Sequence, residues 1–231
     1  MIEPYYKDND CILYCGRAEE ILPQLTERAD LLLTDPPYGL GEKWKGGGGG
    51  RMSSWGFNPD EAKEWDGETI DLLPVIKYAT NAIVWGGHLY SLPPKRGWLV
   101  WDKKQSGNWT TGHAELAWTT FDIPVRSFRM SQVEAHRNMN KLHPTQKPIA
   151  LFVWCIEKIA QMQRGQLILD PFCGVATTLI AAKLLGCRSI GIEMSEKYCE
   201  LAVKERLNRP LPLFEQGGQT LQLTNDTSAD W

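Results

Sequence analysis

Residues 167–193 constrain the fold more than any other stretch of this chain. An apolar run, Leu167-Ile168-Leu169, ends on Asp170 and enters a tight turn, Pro171-Phe172-Cys173-Gly174-Val175-Ala176. A helical stretch, Leu179 to Leu185, follows, and after Gly186 a second apolar run, Ser189-Ile190-Gly191-Ile192, closes on Glu193. Runs this short read as buried strands, so the segment is a βαβ unit. Gly174 allows the backbone to approach a ligand, and Thr177 or Thr178 is expected to cap the helix. Such a unit with an acid at the second strand's tip suits an adenosine moiety: the turn takes the ligand's middle, and Glu193 takes the ribose hydroxyls. A βαβ unit that binds nothing is the competing reading.

A second turn carries different chemistry. Leu31-Leu32-Leu33 is too short for a helix and reads as a strand running into Thr34-Asp35-Pro36-Pro37-Tyr38-Gly39. The two prolines fix φ and remove two backbone donors. The turn therefore gathers the Asp35 carboxylate, a bare Pro36 carbonyl and the Tyr38 ring. Two acceptors and an aromatic face suit a planar ring that bears an amino group. An ordinary surface loop is the bland alternative for Asp-Pro-Pro-Tyr taken alone.

Taken together, the two turns resemble the motifs of S-adenosylmethionine-dependent amino-methyltransferases, especially those acting on exocyclic amines of DNA bases. Asp35-Pro36-Pro37-Tyr38 is similar to the family's Asp-Pro-Pro-Tyr. The segment from Asp170 to Thr178 is similar to Asp-Pro-Phe-x-Gly-Ser-Gly-Thr-Thr, with Val175-Ala176 where Ser-Gly is usual. His143-Pro144-Thr145-Gln146-Lys147-Pro148 resembles a His-Pro-Thr-x-Lys-Pro segment that touches the methionine end of the cofactor. The catalytic turn precedes the cofactor turn, an order that resembles the β group of DNA amino-methyltransferases, of the prophage or restriction–modification type, over about residues 10–205. The family's first strand typically ends in Gly-Asp, whose acid meets the adenine; here Gly16 is followed by Arg17, so that contact does not transfer.

The resemblance implies an α/β, Rossmann-like methyltransferase fold: a mostly parallel seven-stranded sheet with a C-terminal-type β-hairpin and helices on both faces. It implies S-adenosyl-L-methionine as cofactor, held by Asp170, Phe172, Cys173, Gly174, Thr177, Thr178 and Glu193. His143, Thr145 and Lys147 join that set at the carboxylate end. Asp35, Pro36, Pro37 and Tyr38 become the catalytic residues. No metal site is expected, because the six cysteines include no Cys-x-x-Cys; their apolar neighbours suggest reduced, mostly buried thiols.

The 231 residues fit one domain. Residues 10–120 form the catalytic half with a loop at 41–66, residues 121–142 a small target-recognition segment, 143–208 the cofactor half and 209–231 a tail. Strands are expected at 11–15, 30–34, 82–85, 98–101 and 115–119, the last two as a hairpin, with helices near 18–27, 149–162 and 195–208. No run approaches the roughly 18 apolar residues of a membrane helix, so a cytoplasmic protein without membrane contact is expected.

The formal charge of −3 does not advertise nucleic acid, but DNA binding needs only a local positive surface. Arg126, Arg129, Arg137, Lys141 and Lys147 cluster between Pro124 and Pro148, just ahead of the cofactor half. A solvated charged face is the alternative for that run. The five glycines 46–50, flanked by Lys43, Lys45 and Arg51 and by several tryptophans, read as a surface loop or as a lid over the catalytic turn. Trp109, between two strands, is a candidate base-stacking residue. The expected partner is double-stranded DNA, and a short recognition segment fits a site of a few base pairs and a homodimer.

The mechanism implied by the resemblance extrudes the target base, since an amine inside a duplex cannot reach a cofactor in a cleft. Adenine N6 is favoured over cytosine N4 because the family's cytosine enzymes more often carry Ser in the place of Asp35. The rival readings are a cytosine N4 methyltransferase, an enzyme acting on RNA or protein, and a non-catalytic DNA-binding relic of the fold.

Overall fold

A computed structural model describes residues 2–39, 69–105, 112–131, 134 and 146–209. The strands are β1 (Tyr6–Lys7), β2 (Cys11–Cys15), β3 (Ala29–Thr34), β4 (Ala79–Trp85), β5 (Trp98–Asp102), β6 (Ala114–Thr119), β7 (Arg126–Arg129), β8 (Leu167–Asp170) and β9 (Arg188–Glu193). The helices are α1 (Ala18–Ile21), α2 (Leu72–Val75), α3 (Ile149–Trp154), α4 (Thr177–Leu184) and α5 (Glu196–Ala202). All nine strands form one sheet in the order β1-β2-β9-β8-β3-β4-β6-β5-β7.

Seven strands were expected, and the sheet is wider and mixed. β2, β9, β8, β3 and β4 run parallel to one another, whereas β6 is antiparallel to both β4 and β5. The two additional strands lie at the edges: β1 pairs antiparallel with β2, and β7 parallel with β5. Residues 126–129 carry no strand signal in the sequence because an edge strand buries little. Phe128 alone of its four residues is buried, which leaves no alternation to read.

The triple leucine of β3 is explained by a sheet covered on both faces, which removes the polar half of the usual alternation. Leu31 and Leu33 face one core layer with Ile83, Trp85 and Leu99, closed by Leu151, Phe152 and Ile156 from α3 and the turn after it. Leu32 faces the other, with Ala82, Val84, Trp118 and Ile192, closed by Ala18 and Ile21 of α1 and by Leu72 and Val75 of α2. All three leucines are fully buried. Truncating one to alanine would cost about 2–5 kcal/mol.

The helices are shorter than the sequence pattern suggests. α1 stops at Ile21 and passes into a 3-10 turn, Leu22–Gln24, where Pro23 supplies no backbone donor. α3 and α5 each end in a wider π-type turn, Cys155–Ile159 and Val203–Leu207. The expected threonine cap of α4 is absent: its N-cap is Ala176, in the left-handed region at φ 64°, with no side-chain cap bond. The Thr178 hydroxyl donates instead to the buried Asp170 carboxylate, an ionisable acceptor stronger than a cap bond. No helix among the described residues is long and apolar enough to cross a membrane.

Candidate active site

β3 and β8 are neighbours and parallel, but β8 leads to β9 on one side while β3 leads to β4 on the other. This reversal opens a crevice at the carboxyl ends of the two strands, where α/β sheets bind ligands. The two chemically distinctive turns of the sequence both begin there. They are tied together directly: the Thr34 hydroxyl donates to Asp170 Oδ1 at 2.6 Å, and both residues are buried.

Asp170 is the anchor of the β8 turn. Besides Thr34 and Thr178 it accepts from the Phe172 amide at 3.1 Å. Burial nevertheless outweighs these donors and pushes its carboxyl up to about 6. Beyond it, Gly174 sits at φ 51° with open space where a Cβ would point, the room a closely bound ligand needs. The Gly174 amide donates at 2.9 Å to Glu193 Oε2, and the Ser195 amide at 2.7 Å to Oε1. Glu193 is thus aimed across the turn from the tip of β9, and burial pushes it up to about 7. The Cys173 thiol is buried and held well above its ordinary range, by burial first and then by Asp170 and Glu193, so it is no thiolate nucleophile.

The Val175-Ala176 departure has a local support. The Arg206 guanidinium, largely buried in the turn after α5, donates to the Val175 carbonyl at 2.8 Å and to Thr177 Oγ1 at 3.0 Å. Burial lowers its pKa to about 10. Ala176 is fully buried with Leu179 and Cys199, which helps to hold the left-handed backbone that glycine would adopt without strain. At the neighbouring strand tip, β2 pairs with β9, and the Gly16 amide donates to the Glu193 carbonyl at 2.9 Å. Arg17 is exposed beside Glu19.

In the β3 turn the Tyr38 hydroxyl donates to Asp35 Oδ1 at 2.5 Å. The Tyr38 ring lies against Gly86, just after β4, where an added Cβ would sit 2.2 Å from a ring carbon. Tyr90 donates to the Pro37 carbonyl. Among the described residues no group donates to the Pro36 carbonyl beside Asp35. Burial, followed by the nearby Asp35 carboxylate, keeps Tyr38 well above the ordinary phenol range, so it is a neutral donor.

Lys147, grouped by sequence with the cofactor's carboxylate end, is paired with the β3 turn. Its ammonium is 2.6 Å from Asp35 Oδ2, 3.2 Å from the Tyr38 hydroxyl and 3.0 Å from Glu115 Oε2. Glu115 Oε1 in turn meets Lys103 Nζ at 2.7 Å. Burial works against the Lys147 ammonium, yet Asp35 and Glu115 outweigh it and hold the lysine well above its usual range. Burial likewise opposes the Glu115 charge, and the two lysines still draw that carboxyl down to about 2. Asp35 moves the other way: burial raises it by more than Lys147 takes back.

Glu115, Lys103, Gly86 and Tyr90 have no role in the sequence reading, and Thr34 stands there only as the start of its turn. Only Gly86-Gly87 after an apolar strand gave a local signal, that of a turn with close backbone contact. Of the residues read as contacting DNA, Arg126 and Arg129 are exposed on β7, and Arg129 is paired with Asp102 at 3.0 Å. Lys43, Lys45, Arg51, Trp109, Arg137, Lys141, His143 and Thr145 lie outside the described residues.

Known proteins share this architecture. A family model described as DNA methylase, covering N6 and N4 enzymes, matches residues 84–204. The Type II methyltransferase M.HpaI of Haemophilus parainfluenzae is 28% identical over 88% of this chain and 76% of its own. M2.DpnII of Streptococcus pneumoniae is 27% identical over 88% and 92%. Among solved structures, the M1.HpyAVI–SAM complex superposes with a TM-score of 0.57 at 20% identity, over 86% of this chain and all of that one. The cytosine-N4-specific PvuII DNA methyltransferase also gives 0.57, at 14% identity over 90% of each. These two are similar in fold.

Proposed function

Since this chain belongs to the N6/N4 DNA methylase family, we propose that its site transfers a methyl group from S-adenosylmethionine to the exocyclic amine of an extruded base in double-stranded DNA, adenine N6 being the target. The observation that carries this reading is the Thr34–Asp170 bond, which fixes the amine-facing turn beside the ligand-facing turn at the switch point.

The residues fit the cofactor. Gly174 leaves room for close approach, Glu193 stands at the strand tip to accept ribose hydroxyls, and Phe172 flanks the same turn. When bound, S-adenosylmethionine supplies an electrophilic methyl on sulfur. The chain supplies position and proton handling. The Asp35 carboxylate and Pro36 carbonyl accept the amine's hydrogens and draw its lone pair out of ring conjugation, while Tyr38 stacks on the ring. An amine that gained that methyl, its C–S electron pair left on sulfur, would have one proton to shed, and Asp35 is placed to take it. Its burial favours the protonated form. Lys147 is already protonated and cannot be the base.

Adenine is preferred because position 35 holds a carboxylate where cytosine enzymes of the family more often hold Ser. Radiolabelled methyl transfer to unmethylated DNA, followed by nucleoside analysis, tests both levels. N6-methyladenine is expected, N4-methylcytosine would overturn the choice of base, and label in RNA or protein alone would overturn the DNA assignment.

A further inference from the structure

Four charges are packed beside the β3 turn: Asp35, Glu115 on β6, Lys103 after β5, and Lys147 ahead of α3. Each lysine side chain is 5% exposed. Lys147 donates to Asp35 Oδ2 and to the Tyr38 hydroxyl. It touches Glu115 Oε2 at 3.0 Å as well, an ion pair to a buried oxygen that has no well-aligned hydrogen bond among the described residues. Asp35 is the mirror case. Its Oδ1 accepts from Tyr38 and its Oδ2 from Lys147, so an arriving amine has to share either oxygen with a donor already in place.

We propose, resting on the DNA amino-methyltransferase reading, that Lys147 is a positioning residue shared between two carboxylates. It holds Asp35 while no base is present and turns to Glu115 when the base amine enters, releasing Asp35 Oδ2 as the acceptor. Both carboxylates are already within 3.0 Å of its nitrogen, so the shift is a rotation about the last side-chain bonds. The group of two cations and two anions is neutral in either position, so the move separates no net charge in a poorly solvated site. Lys103 keeps Glu115 ionised and in place. Withdrawal of the ammonium also makes Asp35 a better proton acceptor at the moment the amine must lose its proton. Among the described residues, the charged and titratable groups that act on Asp35 are Lys147, Glu115, Tyr38 and, from β8, Asp170.

The test is Glu115→Gln, which keeps shape and removes the second anion. Single-turnover transfer at saturating S-adenosylmethionine and DNA should slow by about tenfold or more, with KM for DNA within about twofold. The acid limb of the rate profile should move to lower pH, because Lys147 now stays on Asp35. Adding Lys147→Met to Glu115→Gln should recover rate, and Glu115→Asp should largely restore the wild-type profile. A wild-type rate and acid limb in Glu115→Gln, or a double variant slower than the single one, overturns the proposal. A carbon-13 titration of the Asp35 carboxyl in the protein without DNA separates the two claims. If the wild type methylates no DNA, the functional reading falls. An Asp35 titration unmoved by Glu115→Gln, by contrast, overturns the shared lysine by itself.

Discussion

Replacing Glu193 with Gln should change how cofactor binding depends on pH as well as how tight it is. In the free protein burial holds Glu193 at about 7, although the Gly174 and Ser195 amides already donate to it. Ribose hydroxyls donating to the same carboxylate favour its ionised form, so binding must pull the pKa down and expel a proton. With a free value of about 7 and a bound value below about 5, affinity rises roughly tenfold between about pH 6 and pH 8, or ~1.4 kcal/mol. Near pH 7 about half a proton leaves per cofactor bound. Calorimetry in buffers of different ionisation enthalpy reads that release directly. Glu193→Gln should flatten the dependence and weaken binding at about pH 8 by roughly 1–3 kcal/mol, the cost of a lost charged hydrogen bond. Asp170, at about 6, titrates in both proteins, so any slope left in the variant belongs to it. Equal slopes in the two proteins, or no proton release by the wild type, would refute the assignment of Glu193 to the ribose.

Asp35→Asn should abolish methyl transfer while S-adenosylmethionine affinity stays within about threefold, since Asp35 is bonded to Tyr38 and Lys147 and not to the Gly174 turn; activity within a few-fold of wild type removes it from the proposed catalytic set. Gly86→Ala should displace the Tyr38 ring, because a Cβ there falls 2.2 Å from it and φ is +69°; the expected readout is a large loss of kcat with a lower melting temperature, and an unaffected variant would mean the ring does not need this seat. Thr34→Val removes a buried donor to Asp170 and should cost about 1–3 kcal/mol in urea unfolding; no measurable loss would show that the two turns hold without it. Asp170 and Glu193 both have raised folded-state pKa values, so their contribution to stability is complete below the ordinary carboxylate range and is lost as pH rises through about 6 and 7. The ligand-free melting temperature should therefore fall between about pH 5 and pH 8, and a flat or rising curve would contradict the burial of these groups.

What the sequence disclosed and what it concealed follow one physical division. β2, β3, β8 and β9 could be read because each is a short apolar run that ends where a chemically conspicuous turn begins, and both signals are local. Glu115 could not be read. It sits within a strand as an ordinary polar residue, and only the folded sheet brings it to Lys147, 32 positions later, and to Lys103. The role of Lys147 was hidden for the same reason, since its partner Asp35 lies 112 positions away. The threonines of α4 show a competition that local preference cannot judge: a cap position was available, but a buried carboxylate at the end of the preceding strand was the stronger acceptor. The helix expected near 18–27 ends early, ahead of Pro23, while the apolar pattern around that proline runs on beyond the helix.

The Thr34–Asp170 bond carries a lesson about inheritance. It joins the ends of two adjacent parallel strands, and nothing in that junction records which strand was synthesised first. A site assembled this way depends on neighbours in space, so a chain in which the half bearing Asp170 precedes the half bearing Asp35 would rebuild the same floor. Rearranged gene order, or two separately expressed halves that find each other, could preserve the chemistry as long as β3 still docks against β8 and the hydroxyl still meets the carboxylate.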